Sequence, residues 1–313
     1  MNDAETNSEM DVYKPFSSLR LFLTGAAMGI ADLIPGVSGG TIAFILGIYD
    51  ALLSAIKSVN AHFFRALLTF KLKEAFSLIP WRFCIALGSG IGVAIFGMAS
   101  TMKYLLENEP ALLFAFFFGL VLASIVTVSS TLKWNFAAVI SLVLGTIAGY
   151  LIVGAVPSEM PHTPFNLFWS GAVAVMAMIL PGISGSFILL VLGQYEYVLG
   201  AVTRFDIITI LPLALGIVLG IMWFSRVLSW TLKHYHVVTV AALIGFMVGS
   251  LRKIWPWKEV VETMTNEQGE LIVLRESNIL PASFSSPEFY YALALAVFGF
   301  VLLIFIDRLA KKE

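Results

Sequence analysis

The stretch Asp32-Leu33-Ile34-Pro35-Gly36-Val37-Ser38-Gly39-Gly40-Thr41 breaks an apolar run over residues 19–57. Met178-Ile179-Leu180-Pro181-Gly182-Ile183-Ser184-Gly185-Ser186-Phe187 breaks a second run over 166–203. The two align at a constant offset of 146 residues, and the register continues through Leu46-Gly47 and Leu192-Gly193, Tyr49 and Tyr195, and the acids Asp50 and Glu196. Further on, Gly119 to Ser124 matches Gly245 to Ser250 at an offset of 126, so the second copy is shorter by about the length of one polar connector. The chain is therefore a tandem duplication: a broken segment followed by three spans, twice.

Proline lacks the N–H a helix needs and clashes with the preceding turn, while glycine adopts left-handed backbone freely. Pro35-Gly36 and Pro181-Gly182 are thus the predicted breaks. The arms on either side, about 15 and about 17 residues, would be roughly 22 and 25 Å long at 1.5 Å per residue. Both fall short of a hydrocarbon core of about 30 Å. Each broken segment either re-enters and returns to its own side or crosses as one interrupted helix.

Composition sets the solvent. Of 313 residues 59% are hydrophobic and only 12% charged, against about 45–50% and about 25% in an ordinary soluble domain. A chain with so few charges cannot cover itself in water, and a multispanning membrane protein follows. The net charge of −1 argues against a nucleic-acid partner. The single cysteine, Cys84, excludes an intramolecular disulfide and a cysteine-based zinc site, and His62, His162, His234 and His236 lack metal-ligand spacing. No metal site and no cofactor are expected.

Loop charge chooses between the two paths. With the N-terminus in the cytoplasm and both broken segments re-entrant, thirteen Lys and Arg fall inside and six outside. If both segments cross, the split is eight and eleven. The first obeys the positive-inside rule. The expected fold is an all-α polytopic membrane protein of two inverted repeats, each a re-entrant helical hairpin plus three transmembrane helices. Residues 1–18 read as a disordered cytoplasmic tail without a signal peptide. Repeat 1 covers 19–156: hairpin 19–57, a basic amphipathic connector 58–82, and spans 83–106, 112–131 and 135–156. Repeat 2 covers 157–308: hairpin 166–203, spans 209–232, 237–251 and 289–307, and an extracytoplasmic loop at 252–288. Residues 309–313 are a second cytoplasmic tail. Three spans per repeat is an odd number, so the repeats point in opposite directions and the hairpin tips should meet near the membrane midplane, as in secondary transporters.

Irregular backbone at membrane depth must be buried in protein or line a wet cavity. A helix restarting after each Ser-Gly pair would aim free N–H groups and its positive dipole end at that cavity. Such an end suits an anion, and glycine lets a phosphate approach the backbone. Ser38, Gly39, Gly40, Thr41, Ser184, Gly185 and Ser186 are the candidate headgroup ligands; the same hydroxyls equally serve to cap their own helices. Arg226, inside span 209–232, is a candidate charge partner or a snorkelling interfacial arginine. Asp32, an intramembrane carboxylate matched by Met178 in the other repeat, is a candidate site for a coupling proton or sodium ion, or a local cap. Glu196 is a second coupling candidate; with Asp50 it also reads as an interfacial anchor. Gly25 and Gly29, Gly216 and Gly220, and Gly245 and Gly249 have the small-xxx-small spacing of close helix packing.

The doubled motif, each copy followed by Leu-Gly-x-Tyr-[Asp/Glu], resembles the bacterial polyprenyl-phosphate transporter family over roughly residues 19–308. That resemblance implies a transporter in the bacterial inner membrane, not an enzyme, with both termini cytoplasmic and an anionic polyprenyl-phosphate lipid as its partner. It implies recycling of undecaprenyl phosphate from the outer to the cytoplasmic leaflet for envelope polymer synthesis, a role the DedA family also serves with similar re-entrant hairpins. The undecaprenyl-diphosphatase family is a rival with its own Pro-Gly-x-Ser motif, but it continues Arg-Ser where this chain has Gly39 and Gly185. Without that cation, or a Glu-x-x-x-Glu pair nearby, phosphoryl transfer lacks its charge stabilisation. A lipid phosphatase and a small-anion channel are the alternative readings.

Overall fold

A computed structural model describes residues 16–34, 37–157, 160–265 and 271–310. The break residues Pro35 and Gly36, most of the N-terminal tail and the end of the C-terminal tail lie outside the described residues.

The first hairpin opens with α1 (Ser18–Asp32), capped by the Ser17 hydroxyl, which accepts from the Arg20 N–H. After the break come α2 (Gly39–Ile45) and α3 (Tyr49–Ser58). The connector folds as two short helices, α4 (Ala61–Leu68) and α5 (Leu72–Ser77). Three long helices complete the half: α6 (Trp81–Asn108), α7 (Pro110–Ser129) and α8 (Phe136–Val153). The second half repeats the order. Helix α9 (Pro164–Ile179) precedes the break, and α10 (Gly185–Val191) and α11 (Tyr195–Thr203) follow it. Then come α12 (Ile207–His234), α13 (His236–Ser250) and α14 (Pro287–Ala310).

Helices α6, α7, α8, α12 and α14 are long and apolar enough to cross a bilayer. The chain is an all-α polytopic, multi-pass membrane protein. Large apolar side chains such as Phe96, Phe136 and Ile208 stand more than four-fifths exposed on these helices, as faces turned to hydrocarbon rather than water require. Helix α13, at the expected span 237–251, has only 15 residues, about 22 Å, and one face of it is packed inside the protein. Its Ala241, Ile244 and Met247 are at most 1% exposed.

The arms after the breaks correct the reading of each as one helix of about 17 residues. Both break again, at matched glycines with positive φ: Gly47 at 72° and Gly193 at 65°. The Ile48 N–H returns to the Ala43 carbonyl and the Gln194 N–H to Leu189, the six-to-one closure that ends a helix on a left-handed glycine. In the second half α10 and α11 are bent by 114°. The repeated Leu-Gly pair marks a turn as well as a register.

Packing follows the duplication. Gly25 lies against the Leu87 carbonyl and its copy Gly171 against Leu213; Gly90 lies against Phe22 and its copy Gly216 against Phe168. So α1 seats on α6 as α9 seats on α12, with no room for a Cβ at these glycines. Other pairs exchange between halves. Gly119 of α7 abuts Ala296 of α14, and its copy Gly245 of α13 abuts Leu142 of α8. Gly299 meets Phe116 as Gly145 meets Ala242. Each half's second long helix therefore packs on the other half's third. Along α8 and α13, Gly145 and Gly149 face Gly245 and Gly249, so the two backbones touch.

The loop at 252–288 holds structure that the sequence reading left out. Strands β1 (Lys258–Thr265) and β2 (Leu271–Asn278) form an antiparallel hairpin, with Val260 opposite Glu276 and an irregularity around Glu262. Its neck is pinned where Trp255 donates to the Ile279 carbonyl, and the Asn278 amide donates to Arg252.

Candidate functional site

The hairpin tips touch one another. The Ser38 hydroxyl donates to the Met178 carbonyl at 3.5 Å, the Gly182 N–H donates to the Thr41 hydroxyl at 2.8 Å, and the buried Tyr49 hydroxyl donates to the Ile179 carbonyl at 2.8 Å. Gly182, with φ of 93°, adopts a backbone that suits glycine.

The tips differ in what reaches open space. At the first, the Gly39 N–H at the start of α2 donates to Asp32 Oδ1 at 2.6 Å. The place where an anion would sit is filled by the chain's own carboxylate. A Cβ on Gly39 would come within 2.6 to 2.9 Å of that carboxyl group, so Gly39 makes room for Asp32 rather than for a ligand. Ser38 accepts from the Gly40 N–H as the helix cap. Ser38 and Thr41 are each 1% exposed. Of the described residues of this motif, Asp32, Leu33 and Ile34 border the cavity described next, and Ser38 to Thr41 do not.

At the second tip Met178 stands where Asp32 would, and nothing acidic covers the start of α10. Ser184 caps that helix by accepting from the Phe187 N–H, and the Ser186 hydroxyl donates to Ser184. Ser184 and Ser186 line a cavity of about 990 Å³. Its walls are largely apolar, from Leu33, Leu106, Phe114, Phe187 and Leu190, with Asp32 at one side and the β1–β2 hairpin across it.

That hairpin and its neck carry charges from the loop 252–288 to which the sequence reading gave no role. Lys253 and Lys258 both donate to Glu276 Oε2, at 3.1 and 3.3 Å. The Lys258 side chain is only 8% exposed, with its ammonium 3.8 Å from the centre of the Phe114 ring. Lys253 stands 5.3 Å over the ring of Phe187, inside the second motif. Burial pushes Lys258 down to about 8, against the pull of Glu276. Burial alone would raise Glu276, yet the two lysines hold it below the usual carboxylate range. All three residues line the cavity. Arg226, by contrast, is exposed on α12 with its guanidinium on the Met222 carbonyl of its own helix, and it does not line the cavity. Glu196 on α11 does not line it either. Gln194, wholly buried beside the second glycine turn, is held by His162 and by the Met160 carbonyl; its copy in the first half is the equally buried Ile48. Among the described residues no group of three or more His, Cys, Asp or Glu could hold a metal ion.

A duplicated bundle with broken helices meeting tip to tip, beside a cavity lined by basic groups and by the hydroxyls of the second motif, is an arrangement that suits a membrane carrier. The chain belongs to the undecaprenyl phosphate translocase-like family, which matches residues 28–272. It is 40% identical over 305 residues to a polyprenyl-phosphate transporter of Vibrio cholerae serotype O1, covering 96% of this chain and 99% of that one. It is 31% identical over 253 residues to a polyprenyl-phosphate transporter of Staphylococcus aureus, covering 75% and 85%. These are names of a translocase and of transporters, not of enzymes. No solved structure matches the chain.

Proposed function

We propose that this protein carries polyprenyl phosphate across the bacterial inner membrane, returning it from the outer to the cytoplasmic leaflet. The observation that carries this reading is a cavity lined together by Ser184 and Ser186 of the second motif, by two lysines and by apolar walls. Such walls suit a prenyl chain, and the polar end suits a phosphate. Family membership and the names of the two relatives support the substrate class.

In this reading the two halves are inverted repeats with both termini cytoplasmic. The exchange of packing partners between halves, Gly119 with Ala296 and Gly245 with Leu142, is what an internal two-fold axis requires, and loop charge supports the orientation. The β-hairpin then stands outside and the cavity beneath it opens to the outer leaflet, where a used carrier lipid is released. Asp32, the one motif acid on that cavity, is the site of a coupling proton or sodium ion.

Two measurements test this. In a Cys84→Ser background, Ser17→Cys should label from the cytoplasm and Asn166→Cys from outside; labelling on one face removes the inverted arrangement. Purified protein in liposomes should move polyprenyl phosphate between leaflets, faster with a proton or sodium gradient. Hydrolysis of the diphosphate lipid instead would make the protein a phosphatase.

A further inference from the structure

Two ammonium groups converge on one carboxylate oxygen in a partly buried corner of the cavity, and one carboxylate does not balance them. Lys253 and Lys258 share Glu276 Oε2, while the other acids lining the cavity are engaged or placed elsewhere: Asp32 accepts from the Gly39 N–H and Glu288 begins α14. Burying an ion pair is costly unless the remaining donors find partners. An ammonium has three donors and no acceptor. A phosphate monoester offers three oxygens and up to two charges, and the motif hydroxyls of Ser184 and Ser186 line the same space.

We propose that Lys253 and Lys258 are the receptors for the phosphate headgroup, and that Glu276 is an internal anion that holds both lysines until a phosphate monoester displaces it. This deepens the reading given above and rests on it. It assigns the site to the second tip and the β-hairpin neck, not to both tips equally. It also gives the hairpin a reason to move, because the charge that ties β2 to the lysines is the one the substrate replaces. The aromatic rings of Phe114 and Phe187 keep each ammonium in place by cation–π contact while its anionic partner changes.

The test compares wild type, Glu276→Gln, and the triple variant Lys253→Gln/Lys258→Gln/Glu276→Gln, which leaves no orphan carboxylate. Binding of polyprenyl phosphate in nanodiscs, its transfer in liposomes, and thermal stability are measured for each, with inorganic phosphate as a competitor. Glu276→Gln should bind the lipid about tenfold tighter, since losing one charge-assisted competitor is worth about that factor. The triple variant should bind at least about tenfold weaker than wild type at similar thermal stability. Inorganic phosphate should compete with the lipid in wild type and not in the triple variant, whereas the prenyl alcohol should not compete. If wild type transports while Glu276→Gln binds no tighter, or the triple variant binds normally, the cluster is only a brace for the hairpin and the inference fails while the transport reading stands. If wild type neither binds nor moves polyprenyl phosphate but does bind inorganic phosphate at the lysines, the transport reading fails and the phosphate site stands.

Discussion

The two hairpin tips began as one sequence and now do opposite things. The first is sealed: Asp32 occupies the start of α2, Ser38 and Thr41 are buried, and Tyr49 reaches across to Ile179. The second is open: Met178 replaces the acid, Tyr195 lines the cavity instead of bonding across the tips, and Ser184 and Ser186 face the lysines. In the proposed reading one copy is the frame against which the other presents its ligand groups. Duplication supplies the scaffold, and a few side-chain differences at matched positions make one tip closed and the other open to the cavity.

The strongest way to break this contrast is to seal the second tip as well. Met178→Asp places a carboxylate seven residues before Gly185, as Asp32 stands before Gly39. It should cap α10, repel the headgroup and abolish transport at near-normal protein level, measured as lipid transfer in liposomes. Normal transport would mean that the open tip is not the site. Next is Asp32→Asn. Asparagine caps about as well as aspartate, so thermal stability should hold, but the gradient dependence of transport should vanish while passive exchange persists. Wild-type, gradient-dependent transfer would leave Asp32 as a seal alone.

A smaller effect probes the contact between tips. Thr41→Val removes the acceptor for the buried Gly182 N–H and should destabilise the protein by about 1–3 kcal/mol, read as a lowered melting temperature in detergent. The smallest concerns pH. Lys258, pushed down to about 8 by burial, loses its charge as pH rises through that value; Glu276 from β2 and Lys253 from the neck are the charges beside it, while Asp32 from α1 and Glu288 from α14 line the same cavity. Glu276, held low, stays ionised throughout that window. The pull of Lys258 on a phosphate is therefore mostly present at pH 7, about half lost near 8 and small at 9, so affinity should fall by about three- to tenfold between pH 7 and 9. Lys258→Arg should flatten the profile, because arginine stays charged.

Much of the frame was legible in the sequence. The 146- and 126-residue offsets exposed the duplication, and the matched positions Gly25 and Gly171 or Gly90 and Gly216 make matched contacts. Long apolar runs gave the five long helices because a bilayer selects for length and hydropathy alone. The second break at Gly47 and Gly193 was missed because a glycine's φ is not written in its letter; the repeated Leu-Gly-x-Tyr pattern was the available signal. The β-hairpin was missed because charged residues dominated the reading of 252–288, although Val260-Val261 and Ile272-Val273 flank a polar, glycine-containing stretch, the usual mark of a hairpin. The partners of Asp32 and the convergence of Lys253 and Lys258 on Glu276 depend on tertiary placement, which no local pattern records.

The crossing of α8 and α13 has a mechanical consequence. At Gly145, Gly149, Gly245 and Gly249 themselves no side chain stands between the helices, and near one end of the crossing the Ser141 hydroxyl of α8 donates to the Val238 carbonyl of α13. In the transport reading such a glycine contact would serve as a plain bearing, about which the two helices could rotate without side chains to pass at that point. Exchange between outward and inward forms would then turn about this point, with the hairpins and the β-neck sweeping the larger arcs. Spin-label distances across the crossing should stay constant between lipid-loaded and empty protein, while those from β1 to α9 change.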